Sequence, residues 1–385
     1  MVVTTKSKAR GVSMEASLVF IAVDVDDNSF HGCGFNRVTG EVREFVCRPS
    51  AGHLVKKLEV FRQGGFTVRV CYEATYLGYS LQRALAKAGY DCAVIAPSMI
   101  PDRVGKRVKT DRLDCRKMAE YFANGQLTAV HVPSLEDEMV RDLVRARKFL
   151  SQQMTALKIF ILSTCRRTGI HYHEGENIDR HYWTKQHRNW LEQKIGEQKN
   201  RAQVINLTLL MQQLGQVEER VEMYDAEIGE FAQNEAYRER VKALRCYRGI
   251  ETLTAMTLVT ELGDIRRFGH PRQLCSYAGM ELVEYSSGGH ERRYRMSKMG
   301  NRHVRTSVVE ACQLASLMPK VGKALKVRRN GASAKCVEIA DRCMKRLYQK
   351  SQRLLRKGKM ANKVKVACAR EMLCFVWESL QVARG

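Results

Sequence analysis

The chain has 385 residues, 44% of them hydrophobic, and its formal net charge is +24. This length allows two or three domains with sizeable cores, and the hydrophobic fraction is ordinary for a globular protein. The charge excludes an acidic or neutral surface and favours a polyanionic partner, most simply nucleic acid. A membrane surface is the alternative, but no lipidation motif or long amphipathic basic anchor supports it.

Thirteen cysteines are scattered along the chain without a Cys-x-x-Cys pair. Zinc is therefore not expected, and free, mostly buried thiols in a reducing cytosol fit the pattern better. Residues 1–16 are basic and lack an apolar segment, which predicts a disordered tail and no signal peptide. The apolar runs are too short to span a bilayer. We predict a bacterial or archaeal cytoplasmic protein, associated with the nucleoid.

Residues 17–133 alternate apolar segments with amphipathic ones, a pattern typical of a mixed α/β sheet. Strands are predicted at Ser17–Asp26, Phe66–Tyr72 and Cys92–Ala96, with a weaker strand pattern through Gly32–Phe35 and Glu44–Cys47, and helices at Gly52–Arg62, Tyr76–Ala88 and from Asp111 to Gly125.

Four acidic residues stand at the ends of these elements. Asp24 and Glu73 end predicted strands, while Asp111 and Asp114 share a face at the start of a predicted helix. Acids at strand ends collect along one edge of such a sheet, where ligands usually bind. Carboxylates suit Mg²⁺, and two such ions about 3.5–4 Å apart clamp the attacking and leaving oxygens in phosphoryl transfer. Turn, surface and helix-capping roles are the alternatives.

Beyond Pro133 the pattern becomes helical. Apolar residues from Met139 to Ile161 recur at alternating spacings of four and three, and those from Leu207 to Phe231 at three and four. This spacing is that of a coiled-coil seam. Residues 134–236 are therefore predicted to form an antiparallel coiled-coil hairpin, or helices that pair between subunits, with plain core packing as the alternative.

A glycine-rich segment, Tyr285-Ser286-Ser287-Gly288-Gly289, lies within residues 237–318. Glycines allow a nucleic-acid backbone to approach closely, and neighbouring cations can hold a phosphate. A serine hydroxyl needs activation by a base or a metal to act as a nucleophile, and tyrosine is a rival nucleophile in the same segment. The candidate nucleic-acid-binding residues are Arg292, Arg293, Arg295, Lys298 and Asn301.

Residues 319–385 are predicted to form a basic helical region. From Lys320 to Arg370 the chain carries seventeen Lys or Arg and two acids. Charge this one-sided favours contact with a phosphate backbone, and a solvated basic face is the alternative. No motif that reads bases is present, so the choice of sequence is expected to lie elsewhere, as RNA guidance would allow.

These motifs together resemble the DEDD-type transposases of the insertion-sequence-110 family. The resemblance covers about residues 18–315, with its motifs in the family's order. The segments that carry it are Val70–Thr75, Lys109–Arg116, Phe268–Met280, Ser287–Gly288 and Met296–Asn301.

The resemblance implies an α/β plus α protein with three parts. An RNase H-like (RuvC-like) domain over 17–133 would be joined by the helical hairpin to a mostly helical, serine-bearing domain over 237–318. It implies a DNA recombination reaction in which serine forms a transient covalent bond to a DNA phosphate. The implied catalytic residues are the Mg²⁺ ligands Asp24, Glu73, Asp111 and Asp114 and the nucleophile Ser287.

The chain departs from the family pattern at two points. Ser286 precedes Ser287, so either serine is a candidate nucleophile. Where the family often has Gly-Ile-Gly, this chain has Gly249-Ile250-Glu251, which weakens the case for a tight phosphate contact at that turn.

The leading hypothesis is a Mg²⁺-dependent transposase that acts as a dimer or tetramer on the ends of its element and on target DNA. For some members of the family a bridge RNA chooses the target, so a guide RNA is a further candidate partner. The alternatives are a site-specific DNA invertase, a Holliday-resolvase-like nuclease that needs the acids but not Ser287, and a non-catalytic nucleic-acid-binding protein.

Overall fold

A computed structural model of the protein describes residues 17–101, 111–172, 181–287 and 290–383; of residues 111, 112, 283–287 and 290–295 it describes the backbone alone. The predicted tail over 1–16 lies outside the described residues. The chain divides into two compact units, Met1–Pro133 and Ser134–Gly385.

The first unit is built on one five-stranded sheet with strand order β3-β2-β1-β4-β5. Strands β1, β2 and β3 are antiparallel neighbours, whereas β4 and β5 extend the sheet parallel to β1. This mixed α/β order is consistent with the RNase H-like arrangement implied by the resemblance. The elements are β1 (Leu18–Val25), β2 (Phe30–Phe35), β3 (Val42–Cys47), α1 (Ala51–Gln63), β4 (Thr67–Glu73), α2 (Ser80–Lys87), β5 (Asp91–Ile95) and α3 (Asp111–Ala123).

The central strand β1 is apolar up to Asp24 because helices cover both faces of the sheet. Its Ile21 and Val23 belong to the core that α1 and α2 share with the sheet. The intervening Ala22 packs in a separate core with Cys115 and Met118 of α3. Alternate residues of one strand thus hold helices on opposite faces.

One expectation for this unit needs correction. Helix α2 begins at Ser80, not at Tyr76. The preceding residues form a turn in which the Gly78 amide donates to the Thr75 carbonyl at 3.3 Å, and Gly78 has a positive φ of 59°. The weaker strand pattern at Gly32–Phe35 is confirmed as β2, and its Gly32 leaves room for the Phe45 ring on the neighbouring β3: a Cβ at Gly32 would lie 2.1 Å from that ring.

The second unit is mostly helical and contains one small antiparallel sheet, β6 with β7. The strands of this β-hairpin were not predicted, since the sequence indicated only a glycine-rich segment there. The elements are α4 (Leu135–Arg167), α5 (Lys185–Gly196), α6 (Arg201–Phe231), α7 (Glu235–Arg245), α8 (Thr252–Leu262), α9 (Pro271–Tyr277), β6 (Leu282–Ser287), β7 (His290–Met296), α10 (Arg302–Ala311), α11 (Lys323–Arg328), α12 (Ala334–Arg356) and α13 (Ala361–Val382).

Helices α4 and α6 pack side by side in opposite directions. Arg147, early in α4, donates two hydrogen bonds of 2.8 Å to Asp225, late in α6. Further along α4, Lys158 pairs at 2.9 Å with Glu218, which lies earlier in α6. The helices therefore run antiparallel within one chain, and their classification as a coiled coil stays a prediction.

Helix α8 is the centre of the core in this unit, because every residue from Ala255 to Leu262 is buried. Its polar members are satisfied locally, as when the Thr260 hydroxyl donates to the Met256 carbonyl at 2.8 Å. The basic helix α12 lies against α13, where Glu371 accepts hydrogen bonds from Arg346 and Lys350. Part of the positive charge of residues 319–385 is thus neutralised within the fold. Among the described residues, no helix is both long and apolar enough to cross a membrane.

Two leucines on α6 test the packing of the helical hairpin. Leu207 is fully buried, whereas Leu209 on the same helix is 58% exposed. Leu207→Ala is expected to lower the free energy of unfolding by about 3 kcal/mol, because it leaves a cavity in the seam. The matched control Leu209→Ala is expected to change it by less than about 0.5 kcal/mol. Urea denaturation followed by circular dichroism measures both, and equal effects would contradict the described packing.

Candidate active site and nucleic-acid interface

Two of the predicted acids stand on neighbouring parallel strands at the same edge of the sheet. Strands β1 and β4 pair in register, with Val23 opposite Tyr72, so the next residues, Asp24 and Glu73, follow side by side at the carboxyl ends. Both residues are half-buried. The carboxyl edge of parallel strands is where α/β proteins place their ligands.

The start of α3 is held near this edge by a contact one residue beyond Asp114. The Cys115 thiol donates to the His31 carbonyl at 3.1 Å, and His31 is the register partner of Asp24 on β2. Asp114 is half-buried in the first turn of α3. The fold thereby brings Asp24, Glu73 and Asp114 toward one region of the first unit.

The fourth predicted acid, Asp111, is the first residue of α3, and its side chain lies outside the description. Among the described side chains, no group of three or more acids, histidines or cysteines is arranged to hold a metal ion. The metal-binding role of the four acids therefore stays a prediction.

A buried tyrosine fixes the segment that follows Glu73. The Tyr72 hydroxyl donates to the Gly78 carbonyl at 3.0 Å and accepts a hydrogen bond from the Gln82 amide at 3.3 Å. Burial raises the pKa of this hydroxyl, so it stays protonated and able to donate. The turn after β4 is thus anchored to its own strand, which limits the movement of Glu73.

The serine motif lies on the β-hairpin of the second unit. Ser287 is the last residue of β6 and pairs with His290, and Ser286 pairs with Glu291. Ser287 therefore stands at the end of a strand, directly before Gly288 and Gly289 of the glycine-rich segment. Residues 288 and 289 lie outside the described residues, as do the side chains of Tyr285, Ser286, Ser287, Arg292, Arg293 and Arg295.

Close backbone contacts hold the base of this hairpin. The Ser297 amide donates to the Glu281 carbonyl at 2.9 Å, and the Lys298 amide donates to the Gly279 carbonyl at 3.0 Å. Gly300 has a φ of 145°, and a Cβ there would lie 2.4 Å from the Tyr277 carbonyl oxygen. The glycine of the Met296–Asn301 motif is therefore required by close backbone approach.

Asn301 uses its side chain within the protein. Its Oδ1 caps α10 by accepting hydrogen bonds from the His303 and Val304 amides at 2.9 and 3.0 Å. Its Nδ2 donates to Glu261 Oε2 at 2.7 Å and to the Tyr277 hydroxyl at 3.2 Å. These contacts satisfy the whole amide, while its predicted contact with nucleic acid stays a prediction. Lys298 is exposed in a left-handed conformation, with a φ of 56°.

Glu261 is a buried carboxylate that binds both Asn301, at the base of the hairpin, and Arg145. It accepts two hydrogen bonds from Arg145, at 2.7 and 2.8 Å, and its side chain is 2% exposed. Burial raises the pKa of Glu261, but the hydrogen bonds from Arg145 and Asn301 outweigh that effect and leave the pKa below its usual value. The carboxylate thus links α4, α8 and the start of α10.

Sequence reasoning did not single out Glu261 or Arg145. A usable signal was present, since Glu261 is the one charged residue of α8, which otherwise reads Thr-Leu-Thr-Ala-Met-Thr-Leu-Val-Thr-Leu around it. A charge in a fully buried helix requires a partner. The sequence could not show which of the many arginines that partner is.

Comparison with known proteins matches both units to one family. A family model described as "Transposase IS116/IS110/IS902 family" matches residues 241–326, and a transposase model for DEDD-type IS110 proteins matches residues 21–168. The chain is 34% identical over 317 residues to "Putative transposase y4qE" of Sinorhizobium fredii, covering 82% of this chain and 76% of the relative.

Other relatives are named as insertion-sequence transposases. "Transposase for insertion sequence element IS1533" of Leptospira borgpetersenii is 29% identical, with 76% of this chain and 83% of the relative covered. "Transposase for insertion sequence element IS1111A" of Coxiella burnetii is 24% identical, with 87% and 90% covered.

The chain belongs to the IS110 family of transposases. It is therefore an enzyme of DNA cleavage and strand transfer, and the predicted family is confirmed. In this transposase, the two matched regions include the acid-bearing sheet edge and the serine hairpin with its Asn301 base.

The Glu261 cluster predicts a large loss of stability on removal of one charge. Glu261→Gln is expected to lower the free energy of unfolding by about 2 kcal/mol, because two charge-assisted hydrogen bonds at the buried carboxylate are weakened, while water solvates part of Arg145, whose side chain is 38% exposed. Glu239→Gln on α7 is a matched control, since Glu239 is half exposed, and it is expected to cost less than about 0.5 kcal/mol. Chemical denaturation measures both. A small effect of Glu261→Gln would show that the cluster does not stabilise the unit.

The same carboxylate predicts how stability depends on pH. Because the pKa of Glu261 is lowered in the folded state, its contribution is complete above the unfolded value of about 4.3 and is lost as the pH falls through the folded pKa. The difference in unfolding free energy between the transposase and Glu261→Gln should be constant above about pH 5 and shrink below about pH 4. A difference that persists unchanged to about pH 3 would contradict this assignment.

Proposed function

We propose that this transposase cuts and joins DNA through a Mg²⁺-dependent carboxylate site and a serine nucleophile. The observation that carries the proposal is the register of β1 and β4, which sets Asp24 beside Glu73 at the sheet edge. The contact of Cys115 with the His31 carbonyl brings the start of α3, with Asp111 and Asp114, to the same side. This is the placement expected of an RNase H-like catalytic edge.

The donor set fits magnesium. The four residues offer carboxylate oxygens alone, which Mg²⁺ prefers over the nitrogen and sulfur ligands that zinc takes. A bound Mg²⁺ would neutralise charge that develops on the phosphate oxygens. The role of Asp24, Glu73, Asp111 and Asp114 is to hold the ion and to orient the scissile phosphate.

The serine step follows from the chemistry of the hairpin. The Ser287 hydroxyl oxygen attacks the phosphorus and loses its proton to a base or to solvent. A serine–phosphate ester forms while the bond from phosphorus to the DNA 3′ oxygen breaks, and that oxygen takes up a proton from the same base or from solvent, so the strand leaves as a free 3′-hydroxyl. Strand exchange reverses the step, when a 3′-hydroxyl of another strand attacks the ester and releases serine.

The basic residues after the serines serve the phosphate in this proposal. Arg292, Arg293 and Arg295 follow on β7, where Arg292 pairs with Tyr285 and Arg293 pairs with Glu284 across the hairpin. Guanidinium groups bind phosphate oxygens in two-pronged geometry. Lys298 and Asn301, at the base of the hairpin, complete the proposed nucleic-acid-binding set.

Two further partners belong to the proposal. The carboxylates and the serine lie in different compact units, so we propose a dimer or tetramer in which subunits share active sites on two DNA duplexes. We also propose that a guide RNA supplies the choice of sequence, since the cations of the chain suit phosphates, which carry no sequence information. Light scattering with and without DNA measures the oligomeric state. Comparing the reaction with and without the element's non-coding RNA tests the guide RNA.

A covalent adduct tests the central proposal. The transposase is incubated with Mg²⁺, DNA carrying the element's ends and the element's RNA, and is then denatured and examined for protein–DNA adducts. Ser287→Ala is expected to abolish the adduct, and Asp111→Ala to lower it on the order of a hundredfold or more, because several kcal/mol of charge stabilisation are lost.

Two neighbouring substitutions serve as controls. Ser286→Ala and Tyr285→Phe change the adjacent candidate nucleophiles and are expected to keep the adduct. Loss with Ser286→Ala alone would move the nucleophile by one residue, and loss with Tyr285→Phe would make tyrosine the nucleophile. Cleavage that leaves no adduct and does not depend on Ser287 would replace the proposal with a hydrolytic nuclease.

A further inference from the structure

Two neighbouring cavities form a continuous groove in the Ser134–Gly385 unit. One, of about 900 Å³, lies among α4, α6, α8 and α11, and the other, of about 410 Å³, lies among α4, α8 and α10. Both are lined by Arg147 and Leu253, so they meet at that point along α4. We call this continuous surface the basic groove. Its cationic side chains are Arg147, Lys148, Arg245, Arg302, Lys323 and Arg328.

The groove carries an excess of positive charge. Against its six cations stand three acids, Asp225, Glu251 and Glu310. Two of the acids are engaged, since Asp225 accepts from Arg147 and Glu251 accepts from Arg328 at 2.6 Å. The four other cations lack a carboxylate partner among the described residues: Lys148, Arg245, Arg302 and Lys323. An uncompensated excess of this kind attracts anions.

Further features of the lining suit a phosphate chain. Between the cations, α4 contributes the neutral polar side chains Ser151, Gln152 and Thr155. Neutral hydroxyl and amide groups commonly contact nucleic-acid phosphates alongside arginine and lysine.

Burial and charges of both signs act on the pKa of His303, near the start of α10. His303 lies next to Arg302, and burial first of all lowers its pKa. Its pKa is lowered further by the charges of Arg145, Lys148 and Arg302, although Glu261 opposes them.

The groove starts where the serine hairpin ends. Arg302 is the first residue of α10 and directly follows Asn301, which closes the base of the hairpin. From Arg302 the groove passes along α4 to Lys323 on α11. A nucleic-acid strand that reacts at the hairpin could thus continue along these cations.

We infer that the basic groove binds the phosphodiester backbone of a nucleic acid that extends from the serine hairpin. A single inorganic phosphate would engage only one cation cluster, whereas cations spread along the whole groove match a chain of phosphates. This inference rests on the proposed function for the placement of the reacting strand. The chemistry is shared by DNA and RNA, and separate ligands distinguish them.

The test uses one lysine from each end of the groove. The double variant Lys148→Gln/Lys323→Gln is compared with Lys242→Gln/Lys326→Gln, which removes the same charge from α7 and α11 at positions outside the groove lining. Both are made in full-length protein that also carries Ser287→Ala, so that no reaction alters the ligand. Fluorescence anisotropy gives the Kd for duplex DNA and for a structured RNA at several salt concentrations.

The groove variant is expected to weaken binding on the order of tenfold at about 0.1 M salt and to lower the log–log salt slope by about 2, since each lost phosphate contact removes about 0.9 on duplex DNA. The control is expected to remain within about twofold of the parent. An effect confined to one ligand identifies the groove as a DNA or an RNA site. Equal Kd values and slopes for groove and control variants would overturn the inference.

A second measurement needs no substitution. In the unaltered transposase, Lys148 and Lys323 should become protected from acetylation when the nucleic acid is bound, whereas Lys326 stays reactive. Unchanged reactivity of both groove lysines would also overturn the inference. Neither measurement needs DNA cleavage. Both therefore test binding at the basic groove whether the covalent-adduct experiment succeeds or fails.

Discussion

The second unit depends on one buried carboxylate. Glu261 is buried and accepts hydrogen bonds from two of the guanidinium nitrogens of Arg145 and from the side-chain amide of Asn301. Breaking such a pair leaves an uncompensated charge in the interior, which is among the more costly single changes a fold can suffer. The three residues come from α4, α8 and the start of α10, so one ionic contact fixes the long hairpin helix relative to the base of the serine hairpin.

This constraint explains why the base of the serine hairpin is built so closely. Gly300 lets the backbone approach the Tyr277 carbonyl, and Asn301 is held in place to cap α10. Movement of the nucleophile would slow the reaction, because a small misplacement of the attacking oxygen lowers the rate of phosphoryl transfer. A hairpin with a rigid base is what the proposed serine chemistry requires.

In the first unit, the sheet itself positions the candidate catalytic acids. Parallel pairing of β1 and β4 sets Asp24 and Glu73 in adjacent places without any contact between side chains being needed. Helix α3 then packs on the opposite face from α1 and α2 and reaches the same edge. Backbone register can hold two acids side by side because the hydrogen bonds of the sheet offset the repulsion between their like charges.

The sequence by itself determined the family, the mixed sheet, the long helices and the position of the acids at strand ends, because these follow from periodicity and from local motifs. It did not predict the β6–β7 hairpin, since residues such as Ser286 and Ser287 favour loops unless a partner strand is supplied. The partners of Glu261, and the meeting of Lys148, Arg245 and Lys323 on one groove, were decided by tertiary structure alone. Those residues are far apart along the chain, and only packing of the helices brings their charges together.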